Sequence, residues 1–387
     1  MQKEPFSISV SDATLADLRE RLLKTRWPRD FANAQWQYGT NLEYLKELVD
    51  YWINKYDWRK QEREMNAFSH YKTTIEGMPI HFIHEPGKGP KPMPLILSHG
   101  WPWTFWDLNK VIRPLSDPAA FGGDPNDAFD VVVPSLPGYG FSTPLTTPGI
   151  NFWRTADLWV TLMQDVLGYK KFAAEGGDWG AIITTQLGHK YADRLIGAYM
   201  HLMVPLDVFV GGLPPASDYG PDEQGWYDRN QNFFAAESGY SALQTTKPQT
   251  IAHALNDTPA GLCSWILEKR RTWSDCDGNV EKRFTKDELI TTMMIYWITE
   301  SYGTSARYYY ECVHNPWKAS HNRTPVVEAP TGIGLFQKEV ILLPRKWAEG
   351  YYNLKHWTVM PSGGHFAPME EPQRLVEDIR KFFRTLR

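Results

Sequence analysis

The sequence predicts an α/β fold: a mostly parallel sheet, interrupted by a helical insertion and preceded by a separate N-terminal segment. Three observations predict it. Short apolar runs, "LILSHG" (95–100), "FDVVVPSLPG" (129–138), "FAAEGGD" (172–178) and "IGAYMHL" (196–202), carry the near-continuous hydrophobicity of strands buried on both faces. Helix-like segments separate the last three, and strands alternating with helices build parallel sheets. Strand-like runs then return only after an irregular, aromatic stretch from about 205 to 325, at "TGIGLFQKE" (331–339) and "HWTVMPSGGHF" (356–366).

In chain order, residues 11–23 read as a helix capped by Ser11 or Asp12, with Leu15, Leu18 and Leu22 on one face. "RWP" (26–28) ends it, because a proline disfavours helix in the residue before it. A second helix from about Asn41 presents Leu45, Leu48, Val49 and Trp52. Residues 68–87 alternate like a β-hairpin turning at Glu76-Gly77. The Pro/Gly-rich "PGKGPKPMP" (86–94) leads into the sheet. Within the insertion "DELITTMMIYWI" (287–298) is helix-like, and an amphipathic helix, "QRLVEDIRKFFRTL" (373–386), closes the chain. Four segments are therefore expected: an N-terminal extension (1–90), the first part of the sheet domain (91–204), a helical cap or lid (205–325) and the second part of the sheet domain (326–387).

A formal net charge of −4 and the lack of a long basic run argue against a nucleic-acid partner. The opening "MQKEPFSISVSDATLADLRERL" holds no apolar run long enough for a signal peptide or a membrane span. Cys263, Cys276 and Cys312 have no metal-ligand spacing, and so sparse a set suits a reducing compartment without disulfides. A cytoplasmic protein without metal or cofactor is expected, whose Asn-x-Thr sequons at Asn256 and Asn322 stay unused. Its 17 Trp, 19 Tyr and 18 Phe fit either an aromatic core or an aromatic-lined pocket for an apolar small molecule.

The chemistry centres on Gly176-Gly177-Asp178-Trp179-Gly180, where a strand runs into a tight turn and then a helix. This is the pattern of a nucleophile elbow, with aspartate in the nucleophile's place. A carboxylate nucleophile suits an electrophilic sp³ carbon: attack gives an alkyl ester that water then hydrolyses, whereas serine would leave a stable ether. Alone, the motif also fits a surface aspartate in a turn. With an elbow nucleophile of this type the acid and the histidine follow in that order. His365 lies in the glycine-rich "PSGGHFAPMEEP", and Glu339 ends the preceding apolar run; Asp275 and Asp277 lie too early. His365 is expected to activate water and Glu339 to orient the imidazole. The "SHGWPWTFWD" turn (98–107) offers an oxyanion site, with backbone N–H groups from Trp101 and Trp179, while His99 holds the loop. "SLPGYGFS" (135–142), with Tyr139 and Phe141, is expected to shape the pocket.

Taken together, "TRWP", "HGWP", "LPGYGFS", "GGDWG", "LEKRRTW" and "GGHFAPMEEP" resemble the epoxide hydrolases of the α/β-hydrolase fold, in their microsomal-type branch, over nearly the whole chain. The resemblance implies Asp178 as nucleophile, Glu339 and His365 as the water-activating pair, and two cap tyrosines that protonate the epoxide oxygen, Tyr240 and Tyr309. From the residues themselves "RYYYE" leaves Tyr308, Tyr309 and Tyr310 open; the family pattern selects Tyr309. Mammalian members carry a membrane anchor; its absence here implies a soluble enzyme. Trp103 stands where relatives usually have a smaller residue and is expected to narrow the substrate pocket.

The expected activity is hydrolysis of a small apolar or aromatic epoxide to a vicinal diol, with a homodimer left open. The rival reading is a haloalkane or haloacid dehalogenase using the same ester chemistry. A serine esterase lacks its Gly-x-Ser-x-Gly motif here, and a non-catalytic relative would tend to have lost a member of the Asp178, Glu339, His365 set.

Overall fold

The structure, a computed structural model, describes residues 2–209 and 211–387. At the N-terminus α1 (Asp12–Leu23) is capped by Ser11, whose side chain accepts from the Thr14 amide, a contact worth roughly 1 kcal/mol. It is followed by α2 (Leu42–Asn54) and α3 (Trp58–Met65). The apolar face expected of α2 is buried through Leu45, Leu48, Val49 and Trp52. The hairpin is β2 (His70–Ile75) and β3 (Met78–Glu85), and Glu76 and Gly77 both take positive φ, as a two-residue turn requires. A strand the sequence reading lacks, β1 (Glu4–Phe6), pairs antiparallel with β2; three residues are too few to show a period.

The remaining strands are β4 (Met93–Ser98), β5 (Phe129–Pro134), β6 (Phe172–Gly176), β7 (Leu195–Met200), β8 (Val327–Lys338) and β9 (Tyr352–Gly364). Among the described residues they form one sheet in the order β1-β2-β3-β5-β4-β6-β7-β8-β9. It is parallel from β5 through β9 and antiparallel only at the β1-β2-β3-β5 side. Helices α4 (Asn109–Ser116), α5 (Phe152–Thr161) and α6 (Trp179–Lys190) connect the strands. Between β7 and β8 lie α7 (Gln224–Glu237), α8 (Gly239–Thr246), α9 (Pro248–Leu255), α10 (Pro259–Thr272), α11 (Lys286–Ile298) and α12 (Tyr302–His314). Then come α13 (Arg345–Tyr351), α14 (Ala367–Glu370) and α15 (Pro372–Arg384).

Successive side chains of a strand point to opposite faces, and β7 shows what covers each. Tyr199 donates to Asp378 of α15, while its neighbour Met200 accepts from Thr185 of α6. The sheet therefore lies between α15, packed with α4, and α6, packed with α5. Covering both faces explains why its strands read as continuous apolar runs.

The N-terminal helices pack on the helical segment of their own chain. Tyr44 bonds Glu281, Tyr51 bonds Asp287 and Tyr56 bonds Thr291, each at 2.9 Å. Pressed between these helices and the core, α11 is buried from Leu289 through Trp297, and so lacks an amphipathic stripe. Among the described residues no helix is long and apolar enough to cross a membrane.

Candidate active site

Parallel strands end at a common edge, where Ser98 of β4 pairs with Gly176 of β6 and Lys338 of β8 with Gly364 of β9. The loops that follow carry Trp101, Asp178, Glu339 and His365 to one place, as the carboxyl edges of open α/β sheets commonly do.

Asp178 stands at the elbow with φ of 50° and ψ of −126°, a conformation non-glycine residues seldom adopt. The turn is tight because the backbones nearly touch: a Cβ on Gly180 would lie 1.9 Å from the Ser98 carbonyl oxygen. Likewise a Cβ on Gly100 would lie 2.2 Å from Asp178 Oδ1. That approach lets the Trp101 amide donate to Asp178 Oδ1 at 2.7 Å. Trp179 opens α6, so its N–H is one of the free donors at a helix start.

The other oxygen, Oδ2, lies 3.4 Å from His365 Nε2, within ion-pair reach but without a formed hydrogen bond. On the far side of the ring Nδ1 meets Glu339 Oε1 at 2.5 Å, and that oxygen also accepts from the Val340 amide. His365 and Glu339 are buried. Burial alone would push the imidazole down, but Glu339 and Asp178 outweigh it and hold the ring up to about 10.

Tyr240 and Tyr309 come from α8 and α12. The Tyr240 ring stacks on Trp101 at 5.1 Å, and Tyr309 meets Trp179 edge-on at 4.6 Å. Burial raises both phenols above their ordinary range, and the charge of Asp178 adds to it. The three tyrosines of "RYYYE" part ways: Tyr308 turns to Thr155 at 2.8 Å, Tyr310 stacks on His314, and Tyr309 joins Trp101, Trp179 and Tyr240.

The three residues expected to line the substrate pocket each have well-defined neighbours. The Trp103 ring stacks on His201, meets the His365 ring edge-on and lies beside Phe366. Phe141 packs on Phe6, His81 and Phe105, because the antiparallel edge of the sheet supplies its neighbours. Tyr139 sits one layer back, its ring against His99 and Tyr308 and its hydroxyl on the Ser305 carbonyl. His99 holds the loop: its Nε2 accepts from the Leu136 amide, and burial lowers it to about 4. Asp275 pairs with Arg283 and Asp277 with Lys282.

Two contacts at the site join residues far apart in sequence. Trp273 packs edge-on against the His365 ring, and its carbonyl accepts the His365 amide; helix and histidine meet only in the folded chain. A second buried carboxylate–imidazole pair, Glu175 with His201 at 2.9 Å, lies beneath the elbow.

The chain was compared with known proteins. The family described as "Epoxide hydrolase N terminus" matches residues 3–108, and that described as "alpha/beta hydrolase fold" matches residues 93–246. A putative epoxide hydrolase of Stigmatella aurantiaca is 41% identical, over 99% of this chain and 85% of its own. Epoxide hydrolase 1 of Oryctolagus cuniculus is 37% identical, over 98% and 88%. The crystal structure of juvenile hormone epoxide hydrolase from the silkworm Bombyx mori superposes with a TM-score of 0.88 at 30% identity, covering 99% of this chain and 94% of that one.

Proposed function

The chain belongs to the epoxide hydrolase family, and on that premise we propose that it converts an apolar epoxide to a vicinal diol through an ester on Asp178. One observation carries the mechanism: a single buried imidazole stands between two carboxylates, and the outer of the two has its second oxygen already held by the Trp101 amide.

In the first half-reaction Asp178 Oδ2 attacks a ring carbon; a new C–O bond forms and the strained C–O bond breaks. The departing oxygen takes a proton from Tyr240 or Tyr309, leaving a phenolate. Buried phenols with raised proton affinity resist ionising in the resting site yet can pass a proton to the far more basic alkoxide. Esterification also erases the charge on Asp178. One of the two influences that hold the imidazolium then disappears, and its proton returns to the phenolate.

In the second half-reaction the neutral His365 takes a proton from water, which attacks the ester carbon. Charge on the former Oδ1 is met by the Trp101 N–H and, at the start of α6, the Trp179 N–H. The acyl C–O bond breaks, the diol leaves with the carboxyl proton, and the resting carboxylate–imidazolium pair is restored.

Aromatic walls from Trp101, Trp179, Tyr240, Trp273 and Phe209 suit an apolar or aromatic epoxide. Segment 205–325, which supplies both tyrosines, is read as the lid. The three cysteines are buried free thiols, in keeping with a cytoplasmic setting. The relatives give the dehalogenase reading no support.

The deciding experiment is a single turnover of styrene oxide in heavy-oxygen water with enzyme in excess. Unlabelled diol, followed by label in the peptide containing Asp178, is expected. Label entering the diol directly would remove the aspartate from the reaction.

A further inference from the structure

Every backbone amide from 363 to 366 has a fixed acceptor. Gly363 donates to Asp275 Oδ2 at 2.9 Å, Gly364 to Glu370 Oε2 at 3.1 Å, His365 to the Trp273 carbonyl at 2.9 Å and Phe366 to Glu370 Oε1 at 2.9 Å. The fully buried carboxylate of Glu370 therefore straddles His365, one oxygen for each neighbour. Its Oε2 also accepts the Asp275 amide at 2.8 Å, and Arg283 approaches it at 3.9 Å while pairing with Asp275 and Glu371. Trp273, Asp275 and Arg283 belong to the helical segment between β7 and β8. The acid is tied to that segment too: Arg229 of α7 donates to the Glu339 carbonyl at 2.5 Å. Asp178, by contrast, is fixed by the elbow and the Trp101 loop.

We propose that Glu370 is a positioning residue for ester hydrolysis, holding the backbone on both sides of His365 so that its imidazole stays aimed at the water. The proposal rests on the two-step reading above. The step in which Asp178 acts does not depend on this carboxylate, and the step in which His365 acts does. A displacement of about 1 Å at a reacting group is enough to slow a step by roughly 100-fold. A glutamine at 370 would keep the size, but its NH₂ would face one of the two amides and push that side of the loop away.

The test is rapid-quench kinetics with styrene oxide on wild type and Glu370→Gln. It is run at pH 8.5, because burial pushes the Glu370 carboxyl up to about 7. In wild type, ester must be detectable on Asp178; its absence would sink the two-step reading itself, whatever Glu370 does. Given that ester, the variant is expected to alkylate within about threefold of wild type while ester hydrolysis slows by about 10- to 100-fold, so that the enzyme accumulates as the ester. An equal loss in both steps, or a loss in neither, overturns the proposal. Glu370→Asp, which keeps the charge but is too short to reach both amides, should show the same imbalance. Failure of both variants to fold would assign Glu370 a purely structural role and equally overturn it.

Discussion

His365 Nε2 stands 3.4 Å from Asp178 Oδ2, and this contact, added to Glu339 on the other side of the ring, raises the proton affinity of the imidazole. Removing the charge of Asp178 should therefore lower the proton affinity of His365. Asp178→Asn imitates the esterified state in this respect. NMR titration of the imidazole should find it titrating lower in the variant than in wild type, where Glu339 and Asp178 both raise it. An unchanged titration would mean that esterification does not release the base.

The same pairing makes stability depend on pH. The folded imidazole is raised from 6.5 to about 10, so its contribution is complete below 6.5 and is lost as pH climbs through 10. Urea midpoints of wild type should fall between pH 7 and 10 by more than those of His365→Gln, in which this titration is absent. Parallel decline in the two proteins would contradict the assignment.

Separating the proposed nucleophile from the proposed base predicts two different inactive enzymes. Asp178→Asn should lose activity by about 10⁴-fold or more, with no adduct, since the proposed nucleophile is gone. His365→Gln should still be alkylated, and intact mass should show one substrate added per chain on the peptide containing Asp178. Turnover without an adduct in either variant would refute the ester route.

Buried charge should matter to the fold as well as to the site. Arg270 of α10 pairs with Asp107 at 2.5 Å, both buried, and joins the helical segment to the turn that carries Trp101. Breaking such a pair leaves an uncompensated charge, so Asp107→Leu should cost about 3–5 kcal/mol. Adding Arg270→Met should recover part of that in urea unfolding. Equal additive losses would show that the two charges do not interact.

Much of this was legible in the chain because the reporting pattern is local. The buried strands announce themselves as apolar runs, and the elbow needs glycines at fixed offsets from Asp178. The places of Glu339 and His365 follow from the order of acid and histidine after the nucleophile. What was not legible depends on partners distant in sequence. Trp103, Tyr139 and Phe141 lie in loops that follow strands of the sheet, but which way each ring turns is decided by His201, Tyr308 and Phe6. Glu370 lies within the quoted "GGHFAPMEEP", yet its role depends on a turn that brings it back to the amides of 364 and 366.

The fate of the tyrosines gives the sharpest residue-level test. Tyr240 and Tyr309 meet edge-on at 5.8 Å and both pack on Trp101, the proximity that the proposed shared proton delivery requires. Each single change to phenylalanine should slow alkylation by about 10- to 100-fold, and the double change by 10³-fold or more, consistent with the weight of general acids. Ester hydrolysis should change less, because in the proposed mechanism its proton transfers run through His365. Tyr310→Phe, on a ring stacked against His314, should leave both steps alone, and Tyr308→Phe should lose mainly the bond to Thr155. Pre-steady-state alkylation rates of the five variants decide the matter. A Tyr308 variant slower than Tyr309→Phe would move the acid one position along the helix and overturn the assignment.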